Sequence, residues 1–200
     1  MKKILSFILS AVLSLGTFCA CDNGEDVAME DLEYGATMRR LGDTEVDICF
    51  DGRFFTDEEM RAVNDYFYSV QTKNTDLFLS VQSPDYVGYV EDKMGLTAEN
   101  YLTQIYDDTA ASLGSDYEYT YVEAVACGDR TTDSSIDEIT KLMDSVYEEN
   151  DKGTTFKETI TDAKYAVFDI TADSNGESYT LYDQVVYIFN CTDGIYIFVS

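Results

Sequence analysis

Residues 164–199 read KYAVFDITADSNGESYTLYDQVVYIFNCTDGIYIFV, and the fold turns on this stretch. Aromatic and β-branched residues fill about Lys164 to Ala172, Tyr179 to Asn190 and Ile195 to Val199, which predicts three strands. Ser174-Asn175-Gly176 and Asp193-Gly194 stand between them. Asn-Gly and Asp-Gly tolerate the positive φ that two-residue hairpin turns demand, so the strands should form an antiparallel meander.

Working upstream, Tyr117, Tyr119, Tyr121, Glu123, Val125 and Cys127 alternate with Glu118, Thr120, Val122, Ala124 and Ala126, predicting another long strand. A helix over about 133–150 links it to the meander, with Ile136, Ile139, Met143, Val146 and Tyr147 on one stripe. Thr97 caps an earlier helix carrying Leu102, Ile105, Tyr106 and Leu113, and Gly114 stands where its C-terminal cap belongs. Thr56 and Glu59 make a capping box for a first helix with Met60, Val63, Phe67 and Val70 at helical spacing. After Asn74-Thr75-Asp76, the residues Leu77, Phe78 and Val81 predict one more turn, ending before Pro84. Glu45 to Phe50 alternates as a short strand before the Asp51-Gly52 turn. The sum is an α+β domain over 44–200 with an antiparallel sheet of about four to six strands, two N-terminal helices and an extra helix between sheet strands.

Composition supports a folded core. Apolar residues make up 45% of the 200, with 16 Tyr and 11 Phe. The formal net charge is −26, with 39 acidic residues against 13 basic. Such a surface repels phosphate backbones, which need Lys and Arg to displace counterions, so no nucleic-acid partner is expected. Asp22 to Glu33 carries six acids in twelve residues, and residues 21–43 are expected to be a solvated acidic tether.

The first twenty residues have the layout of a signal peptide. Lys2 and Lys3 precede an apolar run from Ile4 to Leu15 that is too short to span a bilayer permanently. Phe18-Cys19-Ala20-Cys21 resembles a bacterial lipobox, with Phe18 where the family usually has Leu and Cys19 as a rival site. The resemblance implies cleavage after residue 20, acylation of Cys21 and a palmitate-type lipid anchor on the extracytoplasmic face of the cell membrane. Loss of Lys2 and Lys3 would take the net charge to −28. The rival reading is ordinary cleavage near the same place and a secreted soluble protein.

Tyr66-Phe67 in the first helix, Asn74-Thr75-Asp76-Leu77, Ser83-Pro84 and Asp193-Gly194-Ile195-Tyr196 resemble the nuclear-transport-factor-2-like (NTF2-like) lipoproteins of Gram-positive bacteria. The likeness covers roughly residues 53–200. It implies a cystatin-like, SnoaL-type cone, a bent sheet wrapped on helices with a cavity at its open end. It implies no particular activity, because this fold hosts isomerases, dehydratases, adaptors and binding modules.

The chain contains no His, which removes Ser-His and Cys-His pairs, imidazole ligands and the commonest general base. Cys49, Cys127 and Cys191 have no metal-site spacing and read as free thiols. Thr171 to Gly176 imitates the start of a calcium loop, but Tyr182 stands where a bidentate Glu is required. Asn190-Cys191-Thr192 is only formally a glycosylation sequon. No cofactor or metal is expected.

One carboxylate pair needs weighing. Asp169 interrupts the set Tyr165, Val167, Thr171, and Asp183 interrupts Tyr179, Leu181, Val185, Tyr187. Were those faces to line an apolar interior, either acid would be a candidate general base. Were they to look outward, the acids are merely solvated, the reading that so acidic a chain favours. The leading expectation is therefore a non-enzymatic, membrane-anchored lipoprotein whose NTF2-like domain binds a small apolar ligand or an envelope protein. The alternative is a small isomerase- or dehydratase-like pocket enzyme. Aromatic residues on both parities of the meander add a third expectation, a weak homodimer or protein contact through the outer sheet face.

Overall fold

The computed structural model describes residues 33–129 and 131–199. The expected signal peptide, Cys19, Cys21 and the acidic run up to residue 32 lie outside the described residues. The described chain is mixed α+β, with six strands and six helices. Strands β1 (Met38–Leu41) and β2 (Asp47–Asp51) come first. Four consecutive helices follow: α1 (Asp57–Thr72), α2 (Thr75–Ser80), α3 (Pro84–Met94) and α4 (Ala98–Leu113). Then come β3 (Glu118–Asp129), α5 (Ser135–Glu149), the single turn α6 (Phe156–Thr159), and β4 (Ile160–Ser174), β5 (Glu177–Cys191) and β6 (Gly194–Val199). All six strands form one open sheet in chain order.

The C-terminal meander follows the local turn chemistry. Asn175 and Gly176 take φ of 52° and 80°, the double positive φ of a type I′ turn, and join antiparallel β4 and β5. Cys191 pairs with Gly194 across the second two-residue turn. At α1 the Thr56 hydroxyl accepts from the Glu59 N–H at 3.2 Å while the Glu59 carboxylate accepts from the Thr56 N–H at 2.8 Å. Both halves of the capping box are therefore made.

Three expectations need correction. The sheet is mixed rather than antiparallel, because β2 and β3 run parallel with Asp47 opposite Tyr121. Parallel neighbours need a crossover, and the four helices between β2 and β3 supply it. Secondly, the two expected N-terminal helices are four: the turn at Leu77 and Phe78 ends before Pro84 as expected, but Pro84 then opens a further helix. At the first helical position its missing N–H would have had no intrahelical partner anyway, so α3 starts there and ends at Gly95 with φ 68°.

Thirdly, a boundary at residue 43 is too late, since residues 33–41 are part of the folded unit. The Tyr34 ring stacks on Phe54 at 5.3 Å, and its hydroxyl donates to the Ala124 carbonyl at 2.9 Å. Leu41 is buried. Fully buried Asp51 accepts from the Gly35 N–H at 2.8 Å, the Thr37 hydroxyl at 2.5 Å and the Arg53 guanidinium at 2.7 Å. Gly35 and Thr37 look like linker residues in sequence because their shared acceptor lies across the β1–β2 turn.

The sheet carries apolar packing on both faces. On one, Ala166, Phe168, Ile170, Val186, Ile188 and Ile197 meet Met60, Val63, Phe67 and Val70 of α1, with Phe78 and Leu102 behind. On the other, Tyr187, Phe189, Tyr196 and Phe198 meet Ile136, Met143 and Tyr147 of α5 and Phe156 of α6. Tyr86 of α3 closes on Phe198 edge-on, with ring centroids 5.3 Å apart. The chain's own helices thus cover Tyr187, Phe189, Tyr196 and Phe198, whereas Tyr179 and Tyr182 stay exposed.

Candidate functional site

The site is built where α4 leans over the far end of the meander. On α4, Tyr101, Ile105, Asp108, Thr109 and Ser112 recur at helical spacing and make one wall of a groove of about 420 Å³. Tyr66 of α1 forms its inner end, and Leu181, Gln184 and Val199 form the sheet side. The same Tyr66, Tyr101, Ile105 and Val199 also line a narrower recess of about 40 Å³, which continues to Phe78, Gln82 and Tyr86. A recess of that size holds a small polar tip or a water molecule, not a ring.

The walls are held firmly. Phe78 stands with its ring centroid 6.0 Å from that of Tyr66 and 6.0 Å from that of Tyr101. Buried Gln82 donates to the Ile197 carbonyl at 2.8 Å, which ties the α2–α3 junction to β6. The Tyr66 hydroxyl has no hydrogen-bond partner among the described residues. Burial above all, then the nearby phenols of Tyr101, Tyr119 and Tyr86, pushes that hydroxyl well above its ordinary pKa. Burial likewise raises Tyr101, helped by Tyr86. Both phenols therefore stay neutral at physiological pH.

Asp169 and Asp183 are brought together, but away from this groove. In the β4–β5 ladder Phe168 opposes Gln184 and Ile170 opposes Leu181. Tyr182 and Asp183 therefore oppose Asp169 alone, in a β-bulge. Asp183 takes φ of 57° and its N–H donates to the Asp169 carboxylate at 3.2 Å. Asp183 is exposed and Asp169 half-buried, on the face opposite the one where Phe168 and Ile170 pack under α1. The parity set assigned to Asp183 is also divided by the bulge: Leu181 packs with the α1-side core, whereas Val185 packs with the α5-side core. Neither acid lines the groove or its recess. The bulge does have a consequence there. It puts Leu181 and Gln184, three residues apart, on one sheet face, and both line the groove.

Tyr101, Asp108 and Gln184 were not singled out in sequence. The usable signal was the 101–105–108–112 stripe, which mixes apolar and polar residues too evenly for a core face. Other features carry less chemistry. Cys49, Cys127 and Cys191 are free and half-buried, and burial above all raises the thiols of Cys127 and Cys191. A second groove of about 410 Å³ includes Cys127, Arg53 and Lys164. Its cations are engaged, Arg53 with Asp51 and Lys164 with Glu59 and Asp162. Among the described residues no group of three or more Cys, Asp or Glu could hold a metal ion, and no helix is long and apolar enough to cross a membrane.

Compared with known families, curated proteins and solved structures, the chain matches none.

Proposed function

We propose that this chain is an extracytoplasmic lipoprotein, anchored through Cys21, whose NTF2-like domain holds a small, largely apolar ligand in the groove between α4 and the β5–β6 edge. The anchor rests on the signal layout and Ala20-Cys21. The NTF2-like reading rests on helices preceding a sheet of long strands, with α5 inserted between β3 and β4. The ligand reading rests on one observation: a groove of about 420 Å³, lined by Tyr66, Tyr101, Ile105, Leu113 and Leu181 together with Asp108, Thr109, Ser112 and Gln184, that narrows toward the buried Tyr66 and half-buried Tyr101. Concave sites that combine apolar walls with convergent polar groups are where small molecules bind. Binding is favoured over catalysis because the only carboxylate in the groove wall is Asp108, exposed and at the rim. A general base needs to reach the reacting proton.

The test has two arms. The protein purified from its own host is analysed by mass spectrometry for a retained small molecule, beside an Ile105→Glu variant that places a charge in the groove. Retention by the parent and loss in the variant is the expected result; equal retention, or none in either, removes the ligand reading. In parallel, Cys21→Ala should abolish incorporation of labelled fatty acid. Persistence of label there, with loss in Cys19→Ala, moves the anchor to Cys19.

A further inference from the structure

We infer that the groove selects an organic cation, an ammonium group carried on an apolar body. The inference rests on the groove reading above and adds the ligand's charge. No Lys or Arg lines the groove or the recess. The one charged side chain is Asp108, which has no hydrogen-bond or ion-pair partner among the described residues, although the chain forms eight ion pairs elsewhere there.

The same groove is lined by Tyr66 and Tyr101, kept as neutral phenols by burial. A cation near such rings is attracted by their electron-rich faces. The same helix already shows this chemistry, since the Lys73 ammonium sits 3.7 Å from the centroid of the Tyr106 ring. The background field acts in the same direction: a net charge of −26 concentrates cations and repels carboxylates and phosphates. A neutral apolar molecule would gain the wall contacts but neither of the charge terms. An anion would meet Asp108 with no compensating donor of positive charge. The occupant that uses the carboxylate, the phenol rings and the apolar side chains together is therefore a cation with its apolar body against Ile105, Leu113 and Leu181.

The experiment is a titration of the full chain, followed by calorimetry, with benzyltrimethylammonium, its neutral carbon isostere neopentylbenzene, and phenylacetate. The cation should bind about tenfold more tightly than the isostere, and phenylacetate should not bind. Asp108→Asn, at an exposed position, should lower cation affinity severalfold and leave the isostere unchanged. Tyr101→Leu should weaken the cation more than the isostere, with the thermal transition serving as the folding control. Equal affinity for cation and isostere overturns the inference and leaves the groove reading standing. Binding of neither overturns both. Cation binding that ignores both substitutions places the site elsewhere and overturns the inference.

Discussion

The backbone N–H of Asp183 donates to the carboxylate of Asp169 at 3.2 Å, across the bulge in which Tyr182 and Asp183 oppose that single residue. The two acids weighed separately as candidate general bases are joined by this hydrogen bond. The Asp169 carboxylate satisfies a backbone donor freed by the bulge, and the bulge turns Leu181 and Gln184 to one face.

Substitutions at the bulge should therefore separate by conformation rather than by charge. Asp169→Ala removes the acceptor and should cost about 1 kcal/mol, or about 2–4 °C in Tm. Asp183→Gly relieves a left-handed φ of 57° and should leave stability unchanged or raise it by up to about 1 kcal/mol. Thermal denaturation of the two variants checks this; equal destabilisation by both would contradict it.

The N-terminal segment should be needed for full stability. A fragment starting at Asp43 lacks β1, the Tyr34–Phe54 stack and buried Leu41, and strips Gly35 and Thr37 from Asp51. Burial of Leu41 alone is worth about 2 kcal/mol, and each hydrogen bond to the buried carboxylate about 1.5 kcal/mol or more. Urea unfolding should place this fragment several kcal/mol below one that starts at Glu33. Coincident midpoints would show that residues 33–42 contribute nothing.

Acid should loosen the same region. The Arg53 guanidinium beside Asp51, opposed by burial and helped by Thr37 and backbone N–H groups, holds its carboxyl well below the usual range. The folded pKa lies below the unfolded value of about 3.9. The stabilisation is therefore complete above that unfolded value and is lost as pH falls through about 4 toward the folded pKa. Asp51→Asn should cost about 3 kcal/mol near neutrality by removing the buried carboxylate that the Arg53 guanidinium, Gly35 and Thr37 all engage. Stability measured from pH 6 down to pH 3 should fall more steeply in the parent than in that variant; parallel curves would rule Asp51 out as a source of acid sensitivity.

Covering the second face should keep the domain monomeric. Phe156 is fully buried among Tyr147 and Phe189, with ring centroids 5.6 Å from each. Phe156→Ala should cost about 3–5 kcal/mol. It should also promote concentration-dependent association by uncovering Phe189 and Tyr187. Sedimentation of parent and variant at high concentration distinguishes the cases. Association of the parent equal to that of the variant would support the outer sheet face as an interface.

What the sequence determined by itself is what depends on neighbours along the chain. The 164–199 meander followed from Asn175-Gly176 and Asp193-Gly194, α1 from Thr56 and Glu59, and α4 from Thr97 and Gly114, because turns and caps are made within a few residues. Tertiary structure decided the rest. The parallel β2–β3 pair depends on where four intervening helices return the chain. Gly35 and Thr37 join the fold only because Asp51 reaches them across a hairpin. Leu181 and Gln184 face one groove because a single extra residue opposite Asp169 shifts the strand's parity, and alternation counted along one strand cannot detect a residue inserted relative to its neighbour.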